Sequence, residues 1–131
     1  MVQIAVIGCG YWGPNHIRNF TALDESNVKT ICDLNTDRLK YLKSMYPAVR
    51  TTQVVKDIIS DNEIDAVIIS TPVSTHYSIA LECIDAGKHV FIEKPMATST
   101  KECDELIKKA KEKELVIMVG HTFLYTPAVR K

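Results

Sequence analysis

The sequence has no net charge and no long apolar run. Its 16 Lys and Arg residues balance 16 Asp and Glu residues, so it lacks the basic face that nucleic-acid binding requires, and we expect no nucleic-acid partner. No apolar run approaches the roughly 20 residues that span a bilayer. The chain also does not start with a basic segment followed by a long apolar core. We therefore expect no membrane contact, no signal peptide and a cytoplasmic location.

The four cysteines form no motif. Cys9, Cys32, Cys83 and Cys103 are widely separated, with no C-x-x-C spacing. Zinc sites and redox pairs need ligands clustered at short spacing. The pattern therefore favours reduced thiols packed mostly in the core, and we expect no metal site.

The length and composition are those of one domain. With 131 residues, 46% of them hydrophobic, the chain is long enough to bury a core without disulfide bonds. Short runs rich in Val and Ile recur along it, and runs that are apolar throughout are typical of parallel strands buried on both faces. They predict strands at 2–7, 28–32, 66–69, 90–92 and 115–119, and a weaker strand at 49–52.

Segments with helical spacing fill the gaps between these runs. The predicted helix signals are Pro14 in a first turn, a cap at Asn35 or Thr36, a short helix at 54–59, a cap at Ser74 or Thr75, a stop at Gly87, and a capping box of Ser99 and Glu102. Alternation of strands and helices implies right-handed crossovers. The predicted fold is α/β, a Rossmann-type, doubly wound and mainly parallel sheet with strand order 3-2-1-4-5-6.

A G-x-G-x-x-G pattern lies at Gly8, Gly10 and Gly13, between the first predicted strand and the first predicted helix. In that context it indicates dinucleotide binding. Gly8 would allow the tight turn, Gly10 would let the backbone approach a pyrophosphate, and Gly13 would let the helix pack against the strand. The open N–H groups and the positive dipole of the helix N-terminus suit the same anion.

An acidic residue follows the second strand. Asp33 lies 20 residues beyond Gly13, where a carboxylate accepts hydrogen bonds from the adenosine ribose and repels a 2′-phosphate, which favours NAD over NADP. Arg38 lies one turn further on and is either a solvated helix residue, which is the commoner case, or a cation that softens that repulsion. Two alternatives remain at this point. One is a structural glycine turn with Asp33 as a helix cap, and the other is a methyltransferase that binds S-adenosylmethionine.

Polar residues also follow the fourth and fifth strands, where ligands of such sheets bind. The fourth strand leads into Thr71 and Pro72, with His76 in the next helix. The fifth leads into Glu93-Lys94-Pro95, where a partly buried lysine near a positive ring would have its pKa lowered towards proton exchange with an alcohol or ketone. The alternatives are a surface histidine and an exposed Lys–Glu pair.

These motifs together resemble one family. The glycine loop at 8–13, Thr71-Pro72 with His76, and the segment Ala-Gly-Lys-His-Val-Phe-Ile-Glu-Lys-Pro at 86–95 are similar to those of the Gfo/Idh/MocA oxidoreductases. The resemblance covers essentially the whole chain. It implies that Lys94 contacts the nicotinamide ribose and the substrate and takes part in proton transfer, that His76 lines the cofactor pocket, and that the Lys94–Pro95 bond is cis.

The segment 119–130 and the residues 11–15 resemble one branch of that family, the nucleotide-sugar 3-dehydrogenases acting on UDP-N-acetylglucosamine or its uronic acid. Thr126 departs from the Asn common there. An inositol- or free-sugar-type dehydrogenase and a non-catalytic NAD-binding module remain alternatives. The predicted catalytic residue is Lys94, and the predicted NAD-binding residues are Gly8, Gly10, Tyr11, Trp12, Gly13, Asp33, Leu34, Arg38, Thr71, Pro72, His76, Glu93, Lys94 and His121.

The resemblance also implies a second domain. Family members continue into a larger α/β domain that supplies a histidine acid/base partner for the lysine, most of the site for a small-molecule substrate, and a homo-oligomer interface. We therefore expect residues 1–120 to be the dinucleotide-binding domain and 121–131 to begin the connection, with Thr126 as a helix cap and Pro127 as the first helical residue. On this interpretation the chain is a truncated product or an isolated N-terminal domain, inactive alone.

Overall fold

A computed structural model describes residues 1–130. It forms a six-stranded sheet in the order β3-β2-β1-β4-β5-β6, in which all neighbouring strands are parallel. This confirms the predicted fold and strand order. The strands and helices are, in chain order, β1 (Val2–Ile7), α1 (Trp12–Thr21), β2 (Ser26–Cys32), α2 (Thr36–Met45), β3 (Arg50–Thr52), α3 (Val55–Ile59), β4 (Ala66–Ile69), α4 (His76–Asp85), β5 (His89–Ile92), α5 (Thr100–Glu112) and β6 (Ile117–Val119). Short 3-10 helices cover Val73–Thr75 and Thr122–Tyr125.

The core consists of two apolar layers, one on each face of the sheet, because successive strand side chains point to opposite faces. Ile4 and Val6 of β1 pack towards α1 and α2, whereas Ala5 and Ile7 pack in the other layer with residues of α3, α4 and α5. Burial on both faces explains why the strand sequences are apolar throughout. None of the helices within residues 1–130 has the length and apolar character needed to cross a bilayer.

Helix caps match the sequence at two positions and differ at a third. Asn35 caps α2, since its side chain accepts from the N–H groups of residues 37 and 38. Ser99 caps α5 by accepting from Glu102 N–H, while the Glu102 carboxylate accepts from Thr98. Thr75 takes the predicted N-cap position of α4, but its side chain accepts no hydrogen bond from the helix. A 3-10 turn leads directly into α4, and the Thr75 hydroxyl donates to Pro72 O instead.

The last predicted strand is shorter than expected. Residues 115 and 116 precede β6 because Leu115 N–H donates to Ala110 O, closing the end of α5, and Val116 N–H donates to His89 Nδ1. Near the C-terminus, Thr126 has extended backbone and its carbonyl accepts from Val129 and Arg130, but no helix forms within the described residues. Lys131, the last residue of the predicted connection, lies outside them.

Lys88, from the family-like segment at 86–95, is buried in the core with 3% of its surface exposed. Its ammonium group donates to Asp61 O at 2.7 Å and to Ile64 O at 3.0 Å. Burial lowers the pKa of Lys88 below its usual range, with smaller opposing effects from neighbouring thiol and carboxyl groups. These two hydrogen bonds connect the loop before β4 to the start of β5. Part of the segment at 86–95 therefore stabilises the fold.

We expect Lys88→Met to lower the free energy of unfolding by about 1–3 kcal/mol at neutral pH, since two buried carbonyls lose their donor. Between the lowered pKa of Lys88 and the ordinary value of 10.5, the unfolded chain binds more protons than the folded one. The wild type therefore gains stability relative to the variant as pH rises through that window. Urea unfolding of both proteins from about pH 7 to about pH 10 measures the difference between their free energies of unfolding. A difference that becomes smaller as pH rises would contradict a lowered pKa for Lys88.

Candidate functional site

The carboxyl ends of the strands align at one edge of the sheet. Ile7 is paired with Cys32 and Ile69, and Ile92 is paired with Ile69 and Val119. The residues that follow these strand ends therefore lie side by side: Gly8, Asp33, Ser70, Glu93 and Gly120. The sequence placed candidate site residues after each of these five strands, and the register brings them to a common edge.

Two of the three loop glycines are required by contacts with other backbone atoms. Gly8 has φ +92°, and a Cβ there would lie 2.7 Å from the Ser70 carbonyl carbon and oxygen. A Cβ on Gly13 would lie 2.1 Å from the Gly8 carbonyl oxygen. Gly10 differs, because the nearest atom to its Cβ position is Arg38 Nη1 at 3.9 Å. The loop is thus closed against the protein at Gly8 and Gly13 and open at Gly10, as a backbone cradle for an anion would be.

The Asp33 carboxylate joins the second strand to this loop. Its Oδ2 accepts from Cys9 N–H at 2.7 Å and its Oδ1 accepts from Asn35 N–H at 2.7 Å. Only 9% of the side chain is exposed, and Arg38 Nη1 lies 3.8 Å from Oδ2. Each oxygen keeps further acceptor capacity, so Asp33 both orders the loop and presents a carboxylate beside it. Cys9 is structural, since burial first and then the charge of Asp33 raise the pKa of its thiol to about 12.

An open cleft of about 750 Å³ runs along this edge. Its walls are mainly apolar, which suits a cofactor held by a few placed polar groups. Tyr11 and Trp12 stand at the rim in an edge-to-face pair with ring centroids 5.2 Å apart. The predicted site residues that line the cleft are Gly8, Gly10, Tyr11, Trp12, Asp33, Leu34, Arg38, Thr71 and Pro72.

Sequence analysis missed several residues that line the same cleft. Gln53 lies in the β3–α3 connection and Val55 is the first residue of α3. Gln53 Nε2 donates to Leu34 O at 2.7 Å. Ser70 and Thr75 come from the β4–α4 connection, and Ile79 lies in α4. Ser70 has a buried hydroxyl without a hydrogen-bond partner among the described residues. Its place directly after a strand at the ligand-binding edge was the available signal.

His76 does not line the cleft, which corrects the expectation for this residue. It is 1% exposed, and both of its ring nitrogens face backbone carbonyls. Nε2 lies 2.7 Å from Thr71 O and Nδ1 lies 2.9 Å from Pro95 O. His76 therefore connects the loops that follow β4 and β5 from inside the protein. The Lys94–Pro95 peptide bond, which lies in the loop after β5, is cis, as the resemblance implied.

Glu93 is buried and paired with a residue that sequence analysis did not single out. Its Oε1 lies 2.6 Å from Nε2 of His16 on α1, with 8% of the Glu93 side chain and 12% of the His16 side chain exposed. This arrangement excludes the alternative of an exposed Lys–Glu pair. No single stretch of sequence contains the contact, since the partners are 77 residues apart.

Lys94 turns away from Glu93 towards the chain after β6. Its Nζ lies 4.8 Å from the ring centroid of Phe123, a cation–π contact. Among residues 1–130 no carboxylate oxygen lies within 4.0 Å of that ammonium group. His121 is exposed nearby, after Gly120. Lys94 is thus an accessible amine at the ligand-binding edge, free of ion pairs within the part of the chain that the structure describes.

Comparisons with known proteins agree with this geometry. Residues 2–121 match the family model described as the oxidoreductase family with an NAD-binding Rossmann fold, Gfo/Idh/MocA. The chain is 34% identical over 129 residues to the UDP-N-acetylglucosamine 3-dehydrogenase of Acidithiobacillus ferrooxidans, covering 98% of this chain and 40% of that protein. It is 29% identical over 119 residues to the myo-inositol 2-dehydrogenase of Thermotoga maritima, covering 91% of this chain and 36% of that protein.

A solved structure is similar as well. GenD2 from gentamicin A biosynthesis, in complex with NAD, superposes with a TM-score of 0.91 at 29% identity, covering 96% of this chain and 36% of that one. The chain belongs to the Gfo/Idh/MocA oxidoreductase family and is its NAD-binding Rossmann domain. It spans about two fifths of the length of the curated relatives it matches.

Proposed function

We propose that this chain is the cofactor domain of a cytoplasmic NAD-dependent dehydrogenase that oxidises a sugar hydroxyl, with a nucleotide sugar as the substrate class. The observation that carries the proposal is that three features lie at the same edge of the sheet. They are the glycine loop, open at Gly10, the Asp33 carboxylate, and the Lys94 amine, which forms no ion pair within residues 1–130. A structural glycine turn would not require a cleft at Gly10, nor an accessible lysine two strands away.

In this proposal the chain's own residues hold the cofactor along the edge. The pyrophosphate lies at the N–H groups of the loop and the start of α1, where the helix dipole favours an anion. Asp33 accepts from the adenosine ribose hydroxyls. Tyr11, Trp12, Leu34, Arg38, Thr71 and Pro72 form the walls, and NAD, when bound, supplies the hydride acceptor. His76 supports the walls from behind.

Lys94 is the proposed acid–base residue of this domain. An amine held at the edge by an aromatic ring and free of carboxylates is able to accept or return the proton of a substrate hydroxyl. His121 and Phe123, which follow β6, flank the same position. The proposal retains residues 1–120 as the dinucleotide-binding domain and 121–131 as the connection to a second domain, which completes the substrate site and forms a homo-oligomer.

The substrate class rests on two likenesses. The segment after β6 resembles the nucleotide-sugar 3-dehydrogenases, and the UDP-N-acetylglucosamine 3-dehydrogenase is among the relatives of this chain. The inositol dehydrogenase is the second candidate, and it is supported by a similar share of the chain. Comparing turnover of a nucleotide sugar with that of myo-inositol, in the full reading frame that contains this chain, decides between them.

Calorimetric titration of this chain with NAD tests cofactor binding. We expect saturable binding to NAD and weaker binding to NADP, because the Asp33 carboxylate opposes a 2′-phosphate. Asp33→Ala should weaken NAD binding about tenfold or more, through loss of the ribose contact and of the Cys9 N–H bond that orders the loop.

Asp37→Ala is the matched control, since it removes an exposed carboxylate from the first turn of α2 without touching the loop. Equal NAD affinity in the wild type and in Asp33→Ala would contradict the assigned role of Asp33. Absence of NAD binding in the folded chain would overturn the proposed cofactor site as a whole.

A further inference from the structure

The His16–Glu93 pair is a buried ionisable contact for which the fold alone gives no reason. Removing a carboxylate and an imidazole from water is costly, and an apolar pair of similar volume would often stabilise a core equally well. The pair lies at the edge that carries the proposed cofactor site. His16 is one helical turn after Trp12, which lines the cleft, and Glu93 directly precedes Lys94.

One carboxylate oxygen remains unused. Glu93 Oε1 contacts His16, but Oε2 has no hydrogen-bond partner among residues 1–130. A Cβ at Gly120 would lie 3.1 Å from both oxygens, so the end of β6 leaves room for the carboxylate and for little else. Gly120 itself donates to Ile92 O at 2.9 Å, which fixes this approach. The carboxylate is therefore held in place by geometry, while Oε2 is not among the fully buried atoms that lack a partner and stays open to solvent.

The surroundings of the pair are aromatic and poorly supplied with compensating charge. The His16 ring packs edge-on against the Phe91 ring, with ring centroids 5.0 Å apart. The centroid of the Trp12 ring lies 6.5 Å from that of His16. The other titratable groups at this edge are Lys94, which is turned to the Phe123 ring, and the exposed His121. Neither forms an ion pair with Glu93 within the described residues.

The net charge of the pair depends on one proton. With the proton shared between imidazole and carboxylate, the pair is neutral overall. Without it, the imidazole is neutral and the carboxylate leaves a charge of −1. Histidine is the side chain that ordinarily exchanges its proton near neutral pH. Two ionisable groups this close gain and lose protons as a coupled pair, so a proton cannot be assigned to one of them alone.

We propose that this pair makes the domain's preference between oxidised and reduced nicotinamide depend on pH. The inference rests on the proposed function and on one addition to it, that the nicotinamide end of the cofactor reaches the carboxyl ends of β4 to β6, where Lys94 lies. The oxidised ring carries a positive charge that the reduced ring lacks. Loss of the shared proton leaves a negatively charged carboxylate, 8% exposed, near that ring and strengthens binding of NAD⁺ relative to NADH.

The test is the ratio of the dissociation constants of NADH and NAD⁺, measured by calorimetry on this chain at about pH 6 and about pH 8. The two forms share the adenosine and pyrophosphate groups, so the pH effects of those contacts cancel in the ratio. We expect the ratio to rise by about fivefold or more with pH, in favour of NAD⁺.

Variants separate the charge effect from a structural one. His16→Gln should keep a hydrogen bond to Glu93 and hold the ratio constant and high across this pH range. Glu93→Gln should lower the ratio at both pH values. The double variant keeps an uncharged hydrogen-bonded pair, should fold if either single variant does not, and should show a low and constant ratio. His89→Gln, at the opposite end of β5, is the matched histidine control and should keep the wild-type rise.

Three results would overturn the inference. One is a wild-type ratio that does not change with pH, and another is a rise that persists in His16→Gln. The third is a rise that disappears in His121→Gln instead, which would assign the titration to that histidine. Failure of both cofactor forms to bind would also overturn the proposed function, whereas binding of both at a constant ratio overturns only the pH dependence.

Discussion

Gly13→Ala is expected to destabilise the domain by about 2–4 kcal/mol and to abolish measurable NAD binding. The added Cβ would lie 2.1 Å from the Gly8 carbonyl oxygen, a backbone atom that cannot move without shifting the end of β1 or the start of α1. Either shift displaces the N–H groups that form the anion cradle. Urea unfolding followed by circular dichroism, together with NAD titration, measures the two effects.

Gly10→Ala is the matched comparison in the same loop. Its Cβ would meet nothing closer than the flexible Arg38 side chain at 3.9 Å, so we expect the free energy of unfolding to change by less than about 1 kcal/mol. NAD affinity should nevertheless fall by about tenfold or more, because the methyl group occupies the space left for the pyrophosphate. A Gly10→Ala variant that binds NAD normally would show that the pyrophosphate does not approach the loop there.

The contrast between these glycines shows how much of the site a sequence can predict. The loop and Asp33 were identifiable because their contacts follow from local spacing between a strand, a turn and a helix. The spacing did not show that the Asp33 carboxylate accepts a hydrogen bond from Cys9 N–H, since that contact joins the ends of the neighbouring strands β1 and β2. The strand order likewise followed from the alternation of apolar runs and helices.

The roles that the sequence did not reveal are those that depend on burial. His76 has the sequence position of a surface or cleft residue, but the helix turns it inward between two carbonyls. The partner of Glu93 comes from α1 and becomes visible only once β5 lies beside that helix. Lys88 belongs to the family-like segment at 86–95, yet it stabilises the loop before β4, at the opposite end of the strands from the cleft.

The proposed acid–base role of Lys94 can be tested by substitution. We expect Lys94→Ala, in the full reading frame that contains this chain, to lower turnover by about 10²–10⁴-fold, the usual contribution of a positioned acid–base group. NAD affinity should change far less, because the proposed binding mode holds the pyrophosphate and the adenosine ribose at the glycine loop and at Asp33. Steady-state kinetics and NAD titration of the same variant separate the two quantities.

Two further variants determine whether the proton or only the charge of Lys94 matters. Lys94→Arg keeps a positive charge that can pack against Phe123, but a guanidinium does not give up its proton in proteins. If Lys94 transfers a proton, the arginine variant should be about as slow as the alanine variant. Recovery of turnover in Lys94→Arg would instead assign to Lys94 an electrostatic role. Lys101→Ala, which removes an exposed lysine from the first turn of α5, should leave turnover unchanged and controls for loss of a surface charge.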